Sequence, residues 1–65
     1  MGMEEYFTKA IELYKGLERK TDSSRKEMRE IYYRYQTAKD YGEINTPTQI
    51  KLDRLFYDIK KEIFK

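Results

Sequence analysis

Apolar residues recur at spacings of three and four along almost the whole chain, in three runs separated by two short breaks. That period belongs to the α-helix and to no strand. The first run reads Met3, Tyr6, Phe7, Ala10, Ile11, Leu13, Tyr14 and Leu17, and predicts a helix over 3–20. At about 100° per residue these positions fill an arc of roughly 160°, wide enough to face two neighbours. Gly16 falls on the opposite side with Glu5, Lys9, Glu12, Lys15 and Arg19. There it weakens the helix without opening a hole in the core.

The breaks carry helix-capping chemistry. Thr21-Asp22-Ser23-Ser24 is turn-forming, and Ser24-Arg25-Lys26-Glu27 reads as a capping box that starts a second helix over 25–41. Met28, Ile31, Tyr32, Tyr35 and Ala38 form its stripe, and Gly42 stands where a left-handed C-terminal cap belongs. Thr46-Pro47-Thr48-Gln49 follows, with Thr46 as expected N-cap and Pro47 opening a third helix over 47–64. Its core stripe is Leu52, Leu55, Phe56, Ile59 and Ile63. Three helices joined by short links pack as antiparallel neighbours, so the expectation is an all-α, antiparallel three-helix bundle formed by residues 1–65 as a single domain. Met1 and Gly2 read as an expression remnant and carry no structural weight. A domain of 65 residues has a thin core, which leaves self-association into a homodimer open.

The same composition narrows the chemistry. The chain has neither Cys nor His, hence no disulfide, no thiolate metal site and no imidazole base. Its three glycines form no phosphate-binding loop, and its carboxylates are scattered singly among Lys and Arg. The expectation is a non-enzymatic protein with no cofactor, no metal and no small-molecule substrate. No apolar run approaches a membrane span and no leader pattern opens the chain, which predicts a cytoplasmic protein.

Part of the second break is similar to a helix-turn-helix motif. Ala38 and Gly42 have the motif's spacing, but Thr48 stands where a buried aliphatic residue is required, and Ile50 comes two residues late. The resemblance would place Thr48, Lys51 and Arg54 near the start of a DNA-reading helix. A net charge of only +2 weighs against DNA, whose affinity for proteins rests on neutralised phosphates.

Residues left over from the core stripes point to a different partner. On the third helix Ile50, Tyr57 and Phe64 recur at intervals of seven, about 80–120° away from Phe56. Arg54 and Lys61 border them. On the second helix Tyr33 projects away from Met28, with Arg29 and Lys26 one and two turns earlier. A hydrophobic line rimmed by charge suits a helix that docks onto another protein or a second copy of itself. The sequence therefore predicts a small regulator or adaptor, with DNA binding as the alternative. If Ile50, Tyr57 and Phe64 instead completed the core, the third helix would sit centrally and the line would vanish from the surface.

Overall fold

The computed structural model describes residues 2–64 and contains three helices: α1 over Met3–Lys15, α2 over Asp22–Asp40 and α3 over Thr46–Ile63. Each packs against both others, in an elongated body of 33 × 19 × 19 Å. Tyr6 of α1 meets Arg34 of α2, while Glu4 and Lys15 of α1 meet Lys51 and Asp58 of α3. α1 and α3 are thus parallel to one another and antiparallel to α2, the expected up-down-up bundle.

Phe7, Ile11 and Tyr14 of α1, Met28, Tyr35 and Ala38 of α2, and Leu52, Phe56, Ile59 and Ile63 of α3 are buried. All ten belong to their periodic stripes, which also take in Ile31, Tyr32 and Leu55, only partly buried, and Leu13 and Leu17, which are exposed. Aromatic rings hold the centre: Phe7 meets Tyr35 edge-on at 5.5 Å, and Tyr35 stacks on Phe56 at 5.0 Å between ring centroids. Such pairs contribute about 0.5–1.5 kcal/mol beyond the area they bury. Ile44, in the α2–α3 link, is also buried. It precedes the N-cap of α3, the position of a hydrophobic staple.

The helix boundaries differ from expectation at the end of α1 and at the starts of α2 and α3, and for local reasons. α1 ends at Lys15 instead of Lys20, with Gly16 as its C-cap. Glycine is the poorest helix former after proline, and Leu17 beyond it gains too little burial to carry the helix through. α2 starts three residues earlier than predicted. Its capping box joins Thr21 and Ser24, each side chain accepting from the other's backbone N–H, so Ser24 lies inside the helix and the Ser24–Glu27 box does not form. α3 is capped by Asn45, whose side-chain Oδ1 accepts from the Thr48 N–H at 3.0 Å, and Thr46 is already helical. Asn caps at least as well as Thr, and the earlier start still leaves Pro47 in the first turn, where a missing N–H costs nothing. Gly2, discounted in the sequence, supplies the carbonyl that accepts from the Tyr6 N–H.

The end of α2 follows expectation. Gly42 has φ +69°, the left-handed conformation glycine adopts without a side-chain clash. The Gly42 N–H donates to the Lys39 carbonyl and the Glu43 N–H to the Ala38 carbonyl, both at 3.0 Å, which is a complete Schellman motif. It turns the chain back so that α3 descends along α2.

Candidate functional site: the outer face of α2 and α3

One edge of the bundle, where α2 and α3 lie side by side, carries four of the large apolar residues that the core does not use; Leu13 on α1 and Tyr41 at the end of α2 are exposed as well. Ile50 and Tyr57 of α3 are 56% and 69% exposed, although Leu52, Phe56 and Ile59 between and beside them are buried. α3 therefore does not sit centrally. It presents one stripe to the core and a second, parallel one to solvent, with Arg54 and Lys61 exposed along it.

Phe64 ends this second stripe and behaves differently. It is 38% exposed, and its ring meets Tyr32 at 5.3 Å and Tyr33 at 5.7 Å, both edge-to-face. Tyr33 is itself 57% exposed. The contact joins the two groups that the sequence left separate, Tyr33 on α2 and the Ile50–Tyr57–Phe64 line on α3, into one aromatic edge. Phe64 is thus half support and half surface.

The cations near Tyr33 also divide. Arg29 is half-buried and its guanidinium donates to the Ile63 carbonyl at 2.7 Å. That carbonyl is one of the last four of α3, which have no partner within the helix, and a cation there also meets the negative end of the helix dipole. Arg29 consequently fixes the end of α3 under Phe64 and is a supporting residue. Lys26 is exposed. No cation lies over the Tyr33 ring among the described residues. Such pairs occur instead at Tyr14, Tyr35 and Tyr32, which receive Lys20, Lys39 and Lys60.

Beneath the edge lies a polar network that the sequence did not reveal. The Tyr35 hydroxyl, on a fully buried side chain, is 2.6 Å from Asp53 Oδ1 and 3.1 Å from the Gln49 carbonyl. Its single proton goes to the nearer, charged oxygen. Lys39 Nζ donates to the same carboxylate oxygen at 3.2 Å and lies 5.0 Å from the Tyr35 ring centroid. Burial, then the hydrogen bond to Asp53 and its negative charge, raise the Tyr35 pKa well above that of a free phenol. Tyr14, at the other side of the core, is raised mainly by burial and further by Glu62. Neither phenol exchanges a proton near neutral pH, and both serve packing. Periodicity places Tyr35 in the core, but nothing in the sequence pairs it with Asp53.

Tyr57 stands between two shallow depressions. One is lined by Tyr32, Gln36, Lys39, Asp53, Phe56 and Lys60, the other by Asp53, Arg54 and Asp58. A larger, mostly apolar groove opens on the α1–α2 face, between Met3, Tyr6, Phe7, Tyr33, Arg34 and Ala38, so Tyr33 borders this groove as well as Phe64. Sequence reasoning placed Met3, Tyr6, Leu13 and Leu17 on the inward arc of α1, whereas all four are exposed; α1 faces its neighbours with the narrower stripe of Phe7, Ile11 and Tyr14. The four ion pairs among the described residues lie at the surface, where such pairs contribute about 0–1 kcal/mol.

Among the described residues no group of three or more Asp or Glu side chains is placed to hold a metal ion, and no helix is long and apolar enough to cross a membrane. The helix-turn-helix expectation meets a geometric obstacle. α2 and α3 touch from Arg29–Ile63 through Tyr32–Phe56 to Lys39–Asp53, so they run antiparallel along their whole length. A DNA-binding helix pair instead crosses at about 90–120° so that the second helix can enter the groove. Here Thr48 is half-buried at the α3 cap and Lys51 is engaged by Glu4.

No protein-family model, no curated protein and no solved structure matches this chain. The exposed α2–α3 edge, built from Tyr33, Ile50, Arg54, Tyr57, Lys61 and Phe64 with Arg29 behind it and Lys26 beside it, is the feature from which function is read.

Proposed function

We propose that this protein is a non-enzymatic binding module, a small cytoplasmic regulator or adaptor that contacts another protein through the outer face of α3 and the adjoining edge of α2. One observation carries the proposal. A bundle with so thin a core leaves Tyr57 and Ile50 more than half exposed along one face of α3, and Tyr33 equally so beside Phe64 at its end, when the same side chains would add stability if buried. Exposed aromatic and aliphatic side chains gathered on one helix face and rimmed by Arg and Lys are the composition of a protein interface. Tyr57 is the expected anchor, Ile50 and Phe64 extend its apolar line, Tyr33 widens it, and Arg54, Lys61 and Lys26 form the rim.

A photo-reactive phenylalanine analogue placed at position 57, in cells that make the protein naturally, tests this directly. The expected result is a discrete protein adduct that is not formed when the same analogue replaces Leu13 on the outer side of α1. An adduct with a second copy of the chain would make the module a homodimer. If position 57 yields no adduct, or the same adducts as position 13, the proposal fails.

A further inference from the structure

We infer that the partner segment of the α2–α3 edge is an acidic amphipathic helix of about four turns; the inference rests on the binding-module function proposed above and names the chemistry of its partner. The charges of α3 carry it. Taken as sequence, α3 mixes Lys51, Asp53, Arg54, Asp58, Lys60, Lys61 and Glu62 with no clear sign. The fold sorts them. Asp53 is turned to Lys39 at 3.2 Å and to the Tyr35 hydroxyl, and Asp58 to Lys15 at 3.3 Å. Glu62 is half-buried beside Tyr14. Asp53 and Asp58 are therefore each answered by a lysine of another helix, whereas Arg54 and Lys61 have no ion-pair partner among the described residues, and Lys60 has only the Tyr32 ring. The charge beside the Ile50–Tyr57–Phe64 line that no ion pair answers is positive, although Asp53 and Asp58 also border Tyr57.

The shape selects the partner's secondary structure. Ile50, Tyr57 and Phe64 lie two turns apart along a straight helix face, a line of about 21 Å at 1.5 Å per residue. A second helix laid along such a line brings its own apolar stripe against it and its flanking acids against Arg54, Lys60 and Lys61. Opposed charges of this kind steer the encounter and reject partners of the wrong sign. Single-stranded nucleic acid, which also pairs aromatic rings with cations, is served less well. Successive stacked bases need a series of open rings; on this line Ile50 has no ring and Phe64 is packed against Tyr32 and Tyr33, which leaves Tyr57 alone without a ring neighbour among the described residues.

The probe is a displayed library of amphipathic helical peptides, with Leu fixed along one face and every flanking position drawn equally from Glu and Lys. Selection on the wild-type protein is expected to enrich Glu-rich members. These should shift backbone amide resonances around Tyr33, Arg54, Tyr57 and Lys61 and lose affinity as salt screens the rim. Selection on the exposed double variant Arg54→Glu/Lys61→Glu, its helicity checked by circular dichroism, is expected to enrich Lys-rich members instead. No enrichment on the wild type overturns the inference. So does enrichment of the same charge on both proteins, shifts mapped elsewhere, or an oligothymidylate that perturbs the same amides at lower concentration than the best peptide. If the library fails while position 57 still cross-links a protein, the acidic helix is wrong and the binding module stands; failure of both removes both.

Discussion

The phenol of Tyr35 crosses from α2 to α3 and places its oxygen 2.6 Å from the carboxylate of Asp53, a hydrogen bond from a buried hydroxyl to a half-exposed charge. It locks the register of the two helices whose edge forms the candidate site. Removing it with Tyr35→Phe keeps the ring stack on Phe56 and deletes only the donor. A hydrogen bond to a charged group contributes about 1.5–3 kcal/mol, and Lys39 remains to hold Asp53, so the expected loss lies near the lower end. Urea midpoints of the two proteins measure it, and an unchanged midpoint would mean the bond contributes nothing.

Burial of two phenols, reinforced at Tyr35 by this bond, gives the bundle an alkaline limit. Tyr35 and Tyr14 both have folded-state pKa values raised above the ordinary 10.0 of the phenol, foremost by burial. Above about pH 10 the unfolded chain releases these protons and the folded one retains them, so stability falls with rising pH. Below that pH the contribution is fully present. Thermal unfolding followed from pH 8 upward is expected to decline beyond about pH 10, and to decline less steeply in Tyr35→Phe. Identical pH profiles would show that Tyr35 is not the group responsible.

The helix caps are a third test. Asn45→Ala is expected to cost about 1 kcal/mol because the Thr48 N–H loses its acceptor. Thr46→Ala should cost less, since Thr46 is already within the helix. Denaturant midpoints for both variants decide, and the reverse order would move the start of α3 to where the sequence alone had placed it.

That one-residue error shows what the sequence could and could not tell. Core stripes were legible because burial on a helix repeats every three or four residues; Phe7, Ile11, Tyr35, Leu52 and Phe56 needed no coordinates. Gly42 was legible because its turn requires a left-handed residue. Caps were not, because Thr21, Ser24, Asn45 and Thr46 are all competent acceptors and their choice depends on where the incoming chain arrives. The exposed line of Ile50 and Tyr57 was legible as surplus to the core. Its junction with Tyr33 through Phe64, the diversion of Arg29 to the Ile63 carbonyl, and the internal neutralisation of Asp53 and Asp58 depend on which helices become neighbours, and periodicity within one helix carries no such information.

Phe64 separates support from surface. Phe64→Ala removes two edge-to-face contacts from a half-exposed ring and is expected to cost about 1–2 kcal/mol, less than the ~3–5 kcal/mol of a fully buried phenylalanine. Phe56→Ala, by contrast, should fall in the larger range, since Phe56 is buried among Phe7, Tyr32 and Tyr35. Equal losses in the two variants would place Phe64 in the core and shorten the proposed interface to Ile50 and Tyr57.

The central claim concerns Tyr57, and the affinity of Tyr57→Ala for the protein captured through position 57 tests it most directly. The ring is 69% exposed, so its removal should leave the unfolding midpoint within about 0.5 kcal/mol of wild type. An interface anchor costs about 2 kcal/mol or more when truncated, so binding should weaken by about thirtyfold or more. Leu13→Ala, which removes a similarly exposed apolar side chain from the outer side of α1, should bind as wild type does. Wild-type affinity in Tyr57→Ala, or an equal loss in Leu13→Ala, would contradict the assignment of the α3 face as the surface this protein uses to bind.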